Sequence, residues 1–129
     1  EHNDCVAMAK QFADRTHFVH LRSCYIFPNG NFTEASHLGG RGHLIELCRI
    51  FEKAEHEGKC NSGRRLPMRV DHGMTFTDEP GGVFDESNHG HNAGYTLLGR
   101  MFAMGQIQGV IATVDDELGI KYKQPGFYD

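Results

Sequence analysis

Two short β-type runs, each set between helix-forming stretches, constrain this chain more than any other feature. Thr16-His17-Phe18-Val19-His20-Leu21-Arg22-Ser23 is aromatic and β-branched, and Leu66-Pro67-Met68-Arg69-Val70-Asp71 is a second short strand. Before the first, residues 3–14 place Val6, Ala9, Phe12 and Ala13 at helical spacing, with Asn3 or Asp4 as the cap. Between the two, His43 to Glu57 repeats Leu44, Leu47, Cys48, Phe51 and Ala54 along one helical face, and Gly58 is placed to end it. After the second, residues 94–104 offer Leu97, Leu98, Met101 and Met104 as a helical stripe that Gly105 should break, and Ile107, Val110, Ile111 and Val114 resume the period. Cys24 to Gly42 and His72 to His91 are glycine-bearing connections, and residues 120–129 form a tail. Strands separated by helices imply parallel pairing with helices packed outside. Two parallel strands cannot bury both faces of a sheet. The chain is therefore expected to be a piece of a larger α/β structure, or to need a partner. A start at Glu1 rather than Met suits a processed or truncated polypeptide.

Charge and composition exclude some partners. A net charge of −4 with no basic tract is poor for phosphate-backbone binding. No apolar run is expected to approach the ~20 residues of a membrane-spanning helix, and no signal-peptide core opens the chain. Cys5, Cys24, Cys48 and Cys60 show neither C-x-x-C nor paired zinc spacing, so reduced thiols in a cytoplasmic protein are expected. Asn31-Phe32-Thr33 fits a glycosylation sequon and is read as chance.

The chemistry gathers at the strand ends. Side chains alternate along a strand, so Phe18, His20 and Arg22 share one face and Val19 and Leu21 the other. Arg69 and Asp71 likewise share a face, opposite Met68 and Val70. Each strand thus turns apolar residues toward helices and polar ones inward near its C-terminal end, where active sites assemble in parallel α/β barrels. Such a group is costly to desolvate unless something pairs with it; a divalent metal and an anionic substrate would. Singly, each residue has a blander reading: His20 as a hydrogen-bonded core histidine, Asp71 as a turn or cap residue, Arg22 and Arg69 as structural ion pairs. His89 and His91, in a glycine-rich loop, suit solvent as well as metal. Gly39-Gly40-Arg41-Gly42 before a helix resembles a phosphate cradle only weakly, lacking the Walker lysine and dinucleotide spacing.

Four runs carry a resemblance: Phe18-Val19-His20-Leu21-Arg22-Ser23, Ala35-Ser36-His37-Leu38, Pro67-Met68-Arg69-Val70-Asp71-His72-Gly73 and Ala93-Gly94-Tyr95-Thr96-Leu97-Leu98-Gly99-Arg100. Together, in this order, they resemble the C-terminal third of mannonate dehydratase, from about Asn3 to Val114. The resemblance implies that residues 1–129 are the C-terminal part of one TIM-barrel domain, the last two βα units of an eight-stranded (β/α) barrel whose other strands lie upstream. It implies dehydration of D-mannonate to 2-keto-3-deoxy-D-gluconate in hexuronate breakdown, in a cytoplasmic homodimer using Mn2+ or Fe2+. Of the family's metal ligands, His20 and Asp71 match here; the other histidine and the cysteine belong to upstream strands. His72 is implied as acid/base and Tyr95 as a second donor or substrate contact. Arg22 and Arg69 are implied to bind the substrate's carboxylate and hydroxyls, with His37 on the pocket rim. Departures are Val70, where the family commonly has proline, Arg41, where relatives often carry an acid, and a glycine- and acid-rich loop from Thr75 to His89.

Two rivals stand beside this reading. One is a metal-dependent sugar isomerase or epimerase on the same barrel; the other is a non-catalytic metal-binding or interaction module. Two ligands are fewer than the three a catalytic site normally presents, so these 129 residues alone are expected to be inactive without the remaining barrel segment.

Overall fold

A computed structural model describes residues 3–74 and 97–121. Helix α1 (Cys5–Phe12) leads through a 3-10 turn at Ala13–Arg15 to strand β1 (Val19–Leu21). Strands β2 (Cys24–Ile26) and β3 (Phe32–Glu34) follow, then helix α2 (Leu44–His56), strand β4 (Met68–Val70) and helix α3 (Leu97–Glu117). β1 and β4 pair in parallel, with Val19 opposite Met68, His20 opposite Arg69 and Leu21 opposite Val70. The ladder extends past both strand ends, where Val19 N–H donates to Pro67 O at 2.9 Å and Asp71 N–H to Leu21 O at 3.0 Å. The expected parallel α/β arrangement is present as this two-stranded sheet with helices on one side.

The helices end where local chemistry dictates. Asp4 caps α1, its Oδ1 accepting from the amides of Val6 and Ala7 at 3.0 Å each. α2 buries Leu44, Cys48, Phe51 and Ala54, one helical stripe, and Gly58 at φ 67° closes it. Those side chains join Val19, Leu21 and Val70 in the core. Fully burying such a residue is worth about 1.5–3 kcal/mol. The alternation along β1 is as the sequence pattern requires, with Val19 and Leu21 buried and His20 exposed.

Three expectations are corrected. The Cys24–Gly42 connection contains the antiparallel hairpin β2–β3, with Cys24 opposite Glu34 and Ile26 opposite Phe32. Its turn is held by Phe27 N–H to Asn31 O (2.8 Å) and Gly30 N–H to Phe27 O (3.0 Å), with Gly30 at φ 88°. Second, Gly105 does not break the last helix: α3 runs for 21 residues through Gly105 and Gly109. A helical glycine costs about 1 kcal/mol, less than α3 gains by burying Ala103, Ile107, Val110 and Val114 on the side packed against α2 and β4. Of the helical stripes read in the sequence, Leu97, Leu98, Met101 and Met104 are exposed, while Ile107, Val110 and Val114 are buried. Third, α3 is long and apolar enough, by length and composition alone, to cross a membrane, so an apolar run of that length does exist.

The Gly39–Gly42 segment is packing rather than a phosphate cradle. Ser23 Oγ donates to Gly39 O at 2.5 Å and accepts from Gly42 N–H at 3.1 Å. A Cβ on Gly40, at φ 63°, would lie 2.6 Å from Cys24 O. All four cysteines are free; burial pushes the Cys48 thiol up to about 12.

Candidate active site

Parallel pairing of β1 with β4 sets His20 beside Arg69 on the exposed face and carries Asp71 and His72 past the end of β4. The site builds outward from there. His20 Nδ1 lies 3.8 Å from Asp71 Oδ1, and Phe18 meets the His20 ring edge-on with centroids 4.8 Å apart. His72 Nε2 lies 3.9 Å from Asp71 Oδ2, while its Nδ1 is 3.3 Å from Glu34 Oε1. Glu34 then receives Arg22: Arg22 Nε reaches Oε1 and Oε2 at 3.1 and 3.3 Å, and Arg22 Nη2 pairs with Oε1. The result is one contiguous array, His20–Asp71–His72–Glu34–Arg22.

Electrostatics follow the contacts. The hydrogen bonds that Arg22 donates to Glu34 hold its guanidinium above the ordinary range, against the opposing effect of burial. Arg22 also lies over the Phe32 ring at 5.4 Å, so the hairpin grips it from two sides. Burial, reinforced by the nearby Glu34 charge, raises the Cys24 thiol and disfavours its thiolate.

Of the residues expected in a site, the structure brings together His20, Asp71, His72 and Arg22. Arg69 sits on the same face as His20, exposed, with Nε 3.4 Å from Val70 O. His37 is placed differently from a pocket rim. Its ring is 2% exposed, with Nε2 donating to Leu21 O at 2.8 Å, and its backbone amide donates to Gln106 Oε1 at 3.0 Å. It ties the end of β1 to α3 through these two hydrogen bonds. Tyr95, His89, His91 and the Thr75–His89 loop lie outside the described residues.

Sequence reasoning missed Glu34, 8% exposed and set against both Arg22 and His72. The signal was there: Asn29-Gly30 between Cys24-Tyr25-Ile26 and Phe32-Thr33-Glu34 is a hairpin turn sequence, and a hairpin returns Glu34 to the end of β1.

The donor set suits a divalent ion in part. An imidazole nitrogen and a carboxylate oxygen converge at His20 and Asp71, a mixed N/O pair that first-row divalent ions accept. Among the described residues no three His, Cys, Asp or Glu side chains form a metal-holding group. The pair is therefore two ligands of a site that needs more.

Comparison with known proteins gives the chain's family. The family model described as D-mannonate dehydratase (UxuA) matches residues 1–121. A protein named mannonate dehydratase 2 from Agrobacterium fabrum is 37% identical over 118 residues, 90% of this chain. Mannonate dehydratases of Saccharophagus degradans and Brucella canis are 35% and 32% identical, each over 88% of this chain. The chain spans 28% of the length of the first two and 26% of the third. With the matched region enclosing every residue of the polar array, this chain belongs to the D-mannonate dehydratase family.

Proposed function

We propose that this chain contributes one side of a metal-dependent active site that dehydrates D-mannonate to 2-keto-3-deoxy-D-gluconate. The observation that supports this is the continuous array from His20 to Arg22 at the ends of two parallel strands, within a chain of this family. His20 and Asp71 would hold the ion, Mn2+ or Fe2+. A divalent ion supplies positive charge that offsets the charge developing at the C1 carboxylate when the C2 proton leaves.

The chain's own residues do the rest. Arg69, exposed on the His20 face, binds the sugar acid's carboxylate or hydroxyls in the forked geometry that Lys lacks. Arg22, its charge balanced by Glu34, is proposed to contact the same substrate from the end of β1. His72, beside Asp71, would act as the acid/base. The reaction removes the proton from C2 and expels the C3 hydroxyl, which takes up a proton and departs as water. The enol left behind tautomerises to the 2-keto-3-deoxy acid, so one water is lost and no redox partner is needed. Tyr95 is the proposed second donor.

The remaining ligands are proposed to come from further strands of a (β/α)8 barrel, of which this chain forms the last two units. Two surfaces favour that closure. A cleft of about 840 Å3 runs between β4 and α3, lined by Met68, Val70, Met104 and Ile107 among others. The exposed Leu97, Leu98, Met101 and Met104 form an apolar row on α3. The same reading carries a cytoplasmic homodimer acting on a small sugar acid, with neither nucleic acid nor membrane as a partner.

The test is complementation. The chain is co-expressed with the preceding segment of the Agrobacterium fabrum relative, supplied with Mn2+ and assayed on D-mannonate. A 2-keto-3-deoxy acid is expected, lost in His20→Ala and Asp71→Ala. An isomeric sugar acid as product would replace this reading with an isomerase or epimerase. A folded, metal-loaded complex with no turnover would leave a metal-binding module.

A further inference from the structure

We propose that the Asp115–Glu52 carboxyl pair, in the cleft between β4 and α3, is the receptor for a basic side chain of the preceding part of the polypeptide, which covers that cleft. The cleft is shaped for a cover. Along α3 its wall runs through Met104, Ile107 and Ile111 to Asp115, one helical face, and residues 66–70 form the wall on the β4 side. β4 is bonded to β1 and to no other strand among the described residues, so one edge of the strand in that wall carries no strand partner. The chain spans 28% of the length of the first two relatives, which carry the additional sequence such a cover needs.

The charge of the occupant follows from Asp115. This residue is 5% exposed, its Oδ1 is buried, and that oxygen has no hydrogen-bond partner. Glu52 brings a second carboxyl group within hydrogen-bonding reach of it from α2. Burial raises both carboxyls, the response of acids that lack a close counter-charge. Arg65 and Lys121 line the same cleft, but both are exposed and neither bonds Asp115 Oδ1. A buried acceptor left open is costly, and a neutral cover would bury it further. An arginine or lysine removes that cost: its methylene stem lies along the apolar wall, and its N–H donors meet the open Asp115 oxygen and the Glu52 carboxylate. That a segment of the same polypeptide covers the cleft rests on the barrel reading above; the unmet acceptor does not.

The experiment is a binding measurement in which the sign of the change decides. The chain is titrated by calorimetry, at one fixed pH, with the preceding segment of the Agrobacterium fabrum relative. Parent, Asp115→Asn and Glu52→Gln are compared, each checked for folding by circular dichroism. With a cation docked on the pair, Asp115→Asn removes its counter-charge at nearly constant shape, and Kd should rise at least about tenfold. Glu52→Gln should shift it the same way. Under a neutral cover, Asp115→Asn relieves a buried charge instead, so unchanged or tighter binding overturns the proposal. Should Asp115→Asn fail to fold, Glu52→Gln is read in its place by the same signs. A parent that does not bind the segment overturns it as well, as does a parent that pairs with a second copy of itself through a contact Asp115→Asn disrupts. The dehydratase reading is judged separately, from turnover of the parent complex. Weaker binding by the variants, in a complex that does not dehydrate D-mannonate, retains the docking site and refutes the activity. Turnover with binding that Asp115→Asn leaves unchanged does the reverse.

Discussion

Glu52 gives the most quantitative handle on this fold. It faces Asp115 where α2 packs on α3, the two carboxyl groups within hydrogen-bonding reach, and Asp115 is only 5% exposed. Burial, then the neighbouring Asp115 and Glu55 charges, push the Glu52 carboxyl from 4.5 up to about 7, with Arg65 pulling the other way. The Asp115 carboxyl is likewise raised by burial, so the two titrate as a pair. In the unfolded chain Glu52 releases its proton near 4.5; in the folded chain it keeps it to about 7. The stabilisation is therefore complete below 4.5 and is lost as pH rises toward 7 and beyond. Taken whole, a shift of that size is worth on the order of 3 kcal/mol. Solvent reaches part of this side chain, which brings the usable figure to about 1–2 kcal/mol. Glu52→Gln keeps an N–H donor toward Asp115 and carries no charge at any pH. It should match the parent at pH 4.5 and exceed it by about 1–2 kcal/mol at pH 8.5, a Tm gain of about 3–8 °C for a domain of this size. The assay is thermal unfolding of both proteins across that pH range, read as the difference between them so that histidine titration cancels. Parallel curves, with no gain for the variant at high pH, would refute the argument that the pair is protonated because it is buried.

Other outcomes follow from single contacts. Gly73→Ala would put a Cβ 2.6 Å from Gly99 O and 2.8 Å from Gly99 C, both backbone atoms, so the crossing of this loop over the start of α3 must open; a loss of about 1–3 kcal/mol in urea unfolding is expected. Val114→Ala, at a side chain 1% exposed between α3 and α2, should cost about 2 kcal/mol by the same measurement. Removing either His20 or Asp71 from the complemented enzyme should weaken Mn2+ binding in calorimetry by at least about tenfold, since a site with one ligand fewer loses a direct bond. Chelation of the complemented enzyme should abolish turnover, and added Mn2+ should restore it.

Periodicity alone located α2, because Leu44, Cys48, Phe51 and Ala54 lie on one stripe and the other face is polar. α3 was harder to read for the opposite reason. Its second half shows the buried side in the spacing of Ile107, Val110 and Val114, but its first half is apolar nearly all round, and only packing on α2 and β4 selected Ala103 over Leu97, Leu98, Met101 and Met104. Alternation along β1 told which face His20 occupies before any partner strand was known.

What the sequence by itself determined is therefore local: the helix ends at Asp4 and Gly58, the inside and outside of each strand, and the donors His20, Asp71, His72 and Arg22 at strand ends. These depend on neighbours a few residues apart, whose geometry the backbone period dictates. The tertiary structure decided what depends on residues far apart in the chain. It set the parallel register that puts Asp71 within 3.8 Å of His20, buried His37 rather than leaving it at a rim, and returned Glu34 through the hairpin to meet Arg22 and His72. Each of those pairings comes from burying the same apolar faces together, and no spacing within one segment encodes it.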